Sequence, residues 1–298
     1  LAQGSRQKYS RFPGSGMPGC ALQERTSFSN PTTAALGTVT YIQYLDGDDL
    51  LAPDKIERQL AFLRQQPLGT VSCCEWTRFY QDPAEGQFTP QALWQDATPI
   101  DWLICAWEQH LMMHGATWLI PSSVIQAAGE WDESLTLIND FEYFSRVVLA
   151  SKHIRFCWGA KTYYRSGLQN SVSGRKSEVA WQSAFYAINR GTQHLLNQED
   201  SPRTRQVCAN VFQRFIYEAY PAVPSLRQRA QQRVQQLGGA TERPIGGPLF
   251  SLLTRLFGWQ LAKLTKERLY RYGYERWRAK KSSQSTVHET SNNTPLTA

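Results

Sequence analysis

The sequence predicts an α/β protein that gives way to a helical C-terminal region, and three observations predict it. An apolar, aromatic run from Tyr41 to Leu45 ends abruptly in three carboxylates around one glycine, and a helical pattern follows, as in one strand–loop–helix unit. Strand-like runs at 70–76, 118–120, 154–158 and 161–165 then alternate with helical stretches. From residue 177 onward, apolar and aromatic side chains recur at helical spacing.

Residues 1–40 are rich in Gly, Ser, Pro, Thr and Gln and show little periodicity, so they are expected to be irregular, as a natural flexible arm would be. The buried strand at 41–45 leads into Asp46-Gly47-Asp48-Asp49-Leu50-Leu51. Carboxylates delivered to the end of a strand suit a hard divalent cation, because Mg²⁺ is held by one or two carboxylates plus substrate phosphates. Gly47 leaves room for a ligand to approach the backbone. Asp-rich turns also cap helices, a role open to Asp49 or Asp54. The stretch is not an EF-hand loop, which needs a later Gly and a bidentate Glu at fixed positions. The Asp-x-Asp of haloacid-dehalogenase phosphatases also follows a strand, but Thr or Val usually comes next there, and here Asp49 does.

A helix is expected over 54–66, with Ile56, Leu60 and Leu63 on one face and Pro67 ending it. Residues 81–99 read as loop and 100–113 as a helix. His110 and His114 would then share a helix face, but the metalloprotease pattern needs Glu after the first His and Leu111 stands there, which favours packing or acceptor contact over zinc. Ser122 and Ser123 begin a helix that Gly129 stops. Asp140, with Tyr143, Phe144, Val147 and Val148, reads as the start of an amphipathic helix, and Glu142 and Arg146 as exposed partners one turn apart. Strands at 154–158 and 161–165 flank a turn at Gly159, and helices at 177–198 and 204–217 follow.

Residues 248–281 interleave Leu252, Leu253, Leu256, Phe257, Trp259, Leu261 and Leu264 with Arg255, Lys263, Lys266, Arg268 and Arg271, and Tyr270, Tyr272, Tyr274 and Trp277 come next. Nine basic residues less Glu267 and Glu275 give +7, equal to the formal net charge of the whole 298-residue chain. A basic amphipathic segment with aromatics suits an anionic membrane surface or docks on its own domain. No nucleic-acid-binding module is recognisable. Residues 282–298 are polar and expected to be disordered. The six cysteines (20, 73, 74, 105, 157, 208) form no C-x-x-C pair and read as reduced thiols. No run of 18 or more apolar residues and no secretory signal is visible, so the expected location is cytoplasmic, peripheral on the inner face of the plasma membrane.

Three blocks carry a resemblance. YIQYLDGDDLLAPDKIERQLAFL resembles the Asp-x-Asp segment of family 2 glycosyltransferases of the GT-A (Rossmann-like nucleotide-diphospho-sugar transferase) fold. Gly129-Glu130-Trp131-Asp132-Glu133-Ser134-Leu135, then Asn139-Asp140-Phe141-Glu142-Tyr143-Phe144-Ser145-Arg146, resembles a second block of that family, with Asn139 where the family has Glu. Tyr163-Tyr164-Arg165 with Asn170-Ser171-Val172-Ser173 resembles the segment that closes the donor site. The resemblance covers residues 41–173, a little under half of the chain.

It implies transfer of a sugar from a nucleotide-sugar donor to a sugar or lipid-linked hydroxyl acceptor, with inversion, in cell-surface polysaccharide or glycoconjugate synthesis. It implies Mn²⁺ or Mg²⁺ as cofactor, Asp48 touching the metal, Asp46 holding the ribose or the metal's outer shell, Asp140 as the base, and Arg165 facing the donor diphosphate. The strand, helix and second strand that open such a domain are not legible in 1–40, which implies a truncated or degraded N-terminus. The expected organisation is thus an irregular segment (1–40), a GT-A-like domain (41–175), a helical extension (176–240), a basic amphipathic segment (241–281) and a tail (282–298). The competing expectation is a non-catalytic, membrane-peripheral binding or scaffold protein that keeps only the acceptor half.

Overall fold

The computed structural model describes residues 9–10, 20–25, 40–112, 114–167, 177–271 and 273, with only the backbone at 9–10, 20–25, 270 and 271. Asn170, Ser171, Val172 and Ser173 of the third resembling block lie outside the described residues, as do Tyr272, Tyr274, Arg276, Trp277, Arg278, Lys280, Lys281 and the tail.

Four strands form one sheet in the order β1 (Tyr9–Ser10), β2 (Cys20–Arg25), β3 (Tyr41–Asp46) and β6 (Ile120–Pro121). A second sheet has the order β4 (Leu50–Leu51), β7 (His153–Arg165) and β5 (Thr70–Phe79). Leu119, just before β6, exchanges backbone hydrogen bonds of 2.8 and 3.1 Å with Ser72 of β5 and ties the two sheets together. β6 runs antiparallel to β3, and Leu119 bridges β5 in the same sense, so β3 and β5 point one way. β2 is parallel to β3 and β7 to β5. The C-terminal ends of β3, β5 and β7 therefore share an edge, where open α/β sheets bind ligands.

Side-chain alternation sorts the two faces of this sheet. Ile42 and Tyr44 of β3, Val71 and Cys73 of β5, and Ile154 and Phe156 of β7 join the main hydrophobic core. That core also takes in α2 (Pro99–Glu108), α3 (Ser122–Ala128), α4 (Asn139–Ala150), α5 (Glu178–Gln198), α6 (Pro202–Ala219) and α7 (Pro224–Gln236). The helical extension thus shares the core of the α/β part. The opposite face carries α1 (Lys55–Leu63) over a buried polar layer. There Lys55 Nζ donates to Gln43 Oε1, and Gln59 Nε2 donates to Ser72 Oγ and to the Thr117 carbonyl, both at 3.1 Å. α8 (Pro248–Phe257) and α9 (Trp259–Arg271) form a C-terminal hairpin.

Five readings change in the structure. β1 and β2 fall inside the stretch expected to be irregular: Cys20–Arg25 is rich in helix-favouring Ala, Leu, Gln, Glu and Arg, and pairing with β3 overrides that preference. α2 stops at Glu108 rather than 113, because His110 adopts a left-handed φ of 56°. Gly159 (φ 83°) marks a bulge within one continuous strand instead of a turn between two: the register slips after the Cys74–Cys157 pair, and the Gly159 N–H donates to Glu75 Oε1 at 2.6 Å. The basic segment is broken into two helices at Gly258 (φ 82°). α7 is a further helix, begun by Pro224 at its first turn. Among the described residues Cys73, Cys74, Cys105, Cys157 and Cys208 are free, as expected.

Candidate active site

The acidic turn closes at the C-terminal end of β3, where the Asp49 N–H donates to the Asp46 carbonyl at 3.1 Å. Asp46 and Asp48 are exposed, whereas Asp49 is only 5 % exposed. Asp49 Oδ1 accepts the Arg165 backbone N–H at 2.9 Å, which fastens the turn to the end of β7. Asp49 Oδ2 has no hydrogen-bond partner and lies 3.6 Å from His114 Nδ1. The two do not form an ion pair: Nδ1 accepts the Ala116 N–H at 3.3 Å, which leaves the ring proton on Nε2, 3.2 Å from Thr162 Oγ1. Burial, then the charges of Lys55 and Arg78, bring His114 down to about 3. Burial, with Asp46 and Asp48 adding to it against the Arg165 N–H, pushes Asp49 up to about 7. Of the three carboxylates, Asp49 is thus a structural group facing inward, and Asp46 and Asp48 face solvent.

Arg165 lies at this edge and grips the turn itself. Its Nε donates to the Asp48 carbonyl at 3.0 Å and its Nη1 to the Tyr80 carbonyl at 3.5 Å, and its guanidinium lies over Phe79 at 4.5 Å. One group at the same edge, beside Tyr164, went unread in the sequence. Arg78, the exposed residue near the end of β5, donates to Ser166 Oγ at 3.1 Å and lies over the rings of Tyr164 and Trp76 at 5.0 and 5.6 Å. Burial raises the Tyr164 hydroxyl, and Asp49, Asp48 and Asp46 add to the rise against Arg78. The available signal was the lone Arg in an otherwise apolar and neutral strand end.

Asp140 sits exposed in the first turn of α4, and its Oδ1 accepts the Phe141 N–H at 3.0 Å. The helix starts one residue before it, with Ile138 at the cap in a left-handed conformation (φ 47°) and no side-chain cap, so Asp140 is not the N-cap. Tyr143, one turn on, shares a 2.7 Å hydrogen bond with Tyr44 of β3, and Trp131 stacks on Tyr143 at 3.9 Å. Asp46 is two residues beyond Tyr44 on the same strand face, and Asp140 is three residues before Tyr143 on the same helix face. The tyrosine pair therefore ties the strand that ends in the acidic turn to the first turn of α4. Trp107 stacks on Phe141 at 4.8 Å, and Gly191 of α5 lets that ring approach, because a Cβ there would meet Phe141 Cε1 at 2.6 Å.

Glu142 and Arg146 are paired one turn apart at 2.7 Å, but Glu142 is buried and Arg146 half-buried rather than exposed. Arg146 Nη2 also donates to the Glu130 carbonyl at 2.8 Å and Nη1 to the Ala128 carbonyl, which pins the loop before α4. Burial pushes Glu142 up, and hydrogen bonds from His194 and Arg146 outweigh it and hold the carboxyl below its usual range. Because α2 ends early, His110 and His114 share no helix face: His110 Nε2 lies 3.0 Å from Glu242, far in the chain from the acidic turn.

The exposed pair Asp46 and Asp48, flanking Gly47, is a donor set suited to a hard cation that takes its remaining ligands from phosphates. Among the described residues no group of three or more His, Cys, Asp or Glu side chains gathers as a metal site. A cavity of about 910 Å³ lies elsewhere, between the end of α6 and the α8–α9 hairpin, lined in part by Trp181, Tyr217, Tyr220 and Trp259. In it His110 and Arg214 pair with Glu242, and Lys263 Nζ donates to the Tyr217 and Glu218 carbonyls; the acidic turn is not part of its lining.

No protein-family model matches the chain, and no curated protein does. Among solved structures, S. aureus TarS matches with 12 % identity and a TM-score of 0.40, over 68 % of this chain and 40 % of that one. TarS residues 1–349 in complex with UDP-GlcNAc match with 13 % identity and a TM-score of 0.42, over 80 % of this chain and 70 % of that one. This chain thus spans well under half the length of the first of these structures. A likeness this shallow carries no argument about chemistry.

Proposed function

We propose that the protein is a glycosyltransferase that moves a sugar from a nucleotide-sugar donor to a hydroxyl acceptor, in the synthesis of a surface polysaccharide or glycoconjugate. The observation that supports the reading is the Tyr44–Tyr143 hydrogen bond, because it ties the strand that ends in the acidic turn to the first turn of α4. In this reading Asp140 takes the proton of the acceptor hydroxyl as its oxygen bonds to the anomeric carbon. The bond from that carbon to the diphosphate breaks and its electron pair leaves on the phosphate oxygen, so a single displacement inverts the carbon.

Asp48 would hold a Mg²⁺ or Mn²⁺ directly, and Asp46 would hold the ribose or the ion's outer shell. The bound cation supplies charge stabilisation for the departing diphosphate. Arg165 serves the donor by holding the Asp48 and Tyr80 carbonyls in place. Arg78 offers the diphosphate a guanidinium.

Calorimetry with a panel of nucleoside diphosphates, in Mn²⁺ and in chelator, tests this. Binding that tightens with the ion and weakens in Asp48→Asn supports the reading. Equal binding in chelator removes the metal, and no binding to any nucleotide leaves the protein a non-catalytic binding or scaffold module.

A further inference from the structure

The α8–α9 hairpin inverts the usual sorting of side chains. α8 buries none of its residues. Leu249, Leu252, Leu256 and Phe257 are 58, 53, 62 and 62 % exposed, and Ile245 before the helix and Leu261 on α9 are exposed with them. Leu249, Leu252 and Leu256 follow i, i+3, i+7 spacing and form one stripe. The hairpin is nonetheless anchored, on its other side. Trp259 packs edge-on against Tyr217 and Tyr220 at 4.9 and 5.1 Å, Ala262 is buried, and Lys263 Nζ donates to the Tyr217 and Glu218 carbonyls at the end of α6. The outward apolar stripe is therefore not the face that docks on the protein's own core.

The exposed charges beside this stripe are basic, and the half-buried Glu267 is the one acidic residue of the hairpin. Arg255, Lys266 and Arg268 are exposed on the hairpin, with Arg255 one turn from Leu252 and Arg268 two turns from Leu261. Arg243 is exposed just ahead of it, whereas Glu242 is engaged by His110 and Arg214. A second copy would bring like charges together, which disfavours self-association through this face. Among the described residues no helix is long and apolar enough to cross a membrane, so the hairpin lies on a surface rather than spanning one.

We infer that the outer face of α8–α9 is a docking surface for an anionic lipid bilayer, with Leu249, Leu252, Leu256 and Phe257 entering the interface and Arg255, Lys266 and Arg268 contacting headgroups. The inference is independent of the proposed sugar chemistry.

The test is co-sedimentation of the full chain with vesicles of phosphatidylcholine alone and of phosphatidylcholine mixed equally with phosphatidylglycerol, at low and high salt. The protein is expected to pellet with the anionic vesicles, less so in high salt, and to stay in solution with neutral ones. Replacing Arg255, Lys266 and Arg268 together by Gln should weaken partitioning to anionic vesicles about a hundredfold and erase the preference for them. Leu252→Ser, Leu256→Ser and Phe257→Ser together should abolish pelleting with little change in the thermal midpoint, since these side chains are more than half exposed in the fold. Lys263 is left intact because it holds the end of α6. Wild-type protein that ignores anionic vesicles overturns the inference. So does pelleting that survives both triple variants, or a wild-type dimer in light scattering that the Ser variant dissolves while neither form binds lipid.

Discussion

The acidic turn of β3 and the α8–α9 hairpin break the rule of apolar inside, polar outside in opposite directions. Around the turn, polar groups are buried: Asp49, His114, Lys55, Gln43 and Gln59 all lie under the sheet or at its edge. On the hairpin, Leu252, Leu256 and Phe257 face solvent. Buried polar groups and exposed apolar patches are the informative departures in a fold. Each costs stability in isolation, so each needs a compensating purpose. The first kind holds groups in fixed places through short, directional contacts, as chemistry requires. The second keeps area unsatisfied within the chain, which association with another phase satisfies.

If the acidic edge is built for chemistry, its largest response is kinetic. Asp140→Asn keeps the shape of the residue and removes its basicity, so turnover should fall by about two to four decades while the Kd for the donor stays nearly unchanged. Steady-state kinetics with calorimetry of the donor complex decides it. Near-normal turnover would reduce Asp140 to a member of a helix's first turn.

The buried pair sharpens the comparison through pH. His114 is held near 3, against an ordinary 6.5, so its contribution to stability is complete above about 6.5 and is lost as pH falls. Asp49 is held near 7, against an ordinary 3.8, so its contribution is complete below about 3.8 and is lost as pH rises through 7. The two slopes oppose each other, each on the order of 4 kcal/mol in full. Urea unfolding of the wild type between these limits should thus be nearly flat with pH. Asn at position 49 should leave stability climbing with pH over that window, and Gln at position 114 should leave it declining. Parallel profiles for both variants would mean that neither group is perturbed by burial.

A smaller effect is expected at the packing behind Asp140. Gly191→Ala places a methyl group within 2.6 Å of the Phe141 ring, so the thermal midpoint should drop by the equivalent of about 1–3 kcal/mol. Turnover should drop with it, since Phe141 neighbours Asp140. The smallest effect belongs to the hairpin: Leu256→Ser should alter the stability of the free protein by less than about 0.5 kcal/mol, as surface changes do. A large loss there would mean that the stripe is core after all, and the contrast with the acidic turn would collapse.

Local chemistry by itself determined β3, the acidic turn and most of the helices that follow. Tyr41 to Leu45 reads as a buried strand that the acidic run from Asp46 to Asp49 ends, and the helix expected from 204 is extended back to Pro202 by the Ser201 capping box. The amphipathic basic C-terminus was equally legible, because amphipathicity is a property of spacing. What the tertiary structure decided were the matters that depend on a partner distant in the chain. Nothing in Asp46-Gly47-Asp48-Asp49 says which carboxylate turns inward; the Arg165 N–H, 116 positions away, selects Asp49. The strand at Cys20–Arg25 exists through β3 and against its own helical preference. Glu142 and Arg146 show the right spacing for a surface pair, and only the packing of α4 against α3 and α5 makes them a largely buried clasp on the preceding loop. The same holds for the hairpin, where spacing defined an apolar stripe and the anchoring of Trp259, Ala262 and Lys263 settled which side faces out. Propensity and periodicity act over a few residues, whereas burial is set by which surfaces meet, and that is fixed only when the whole chain has folded.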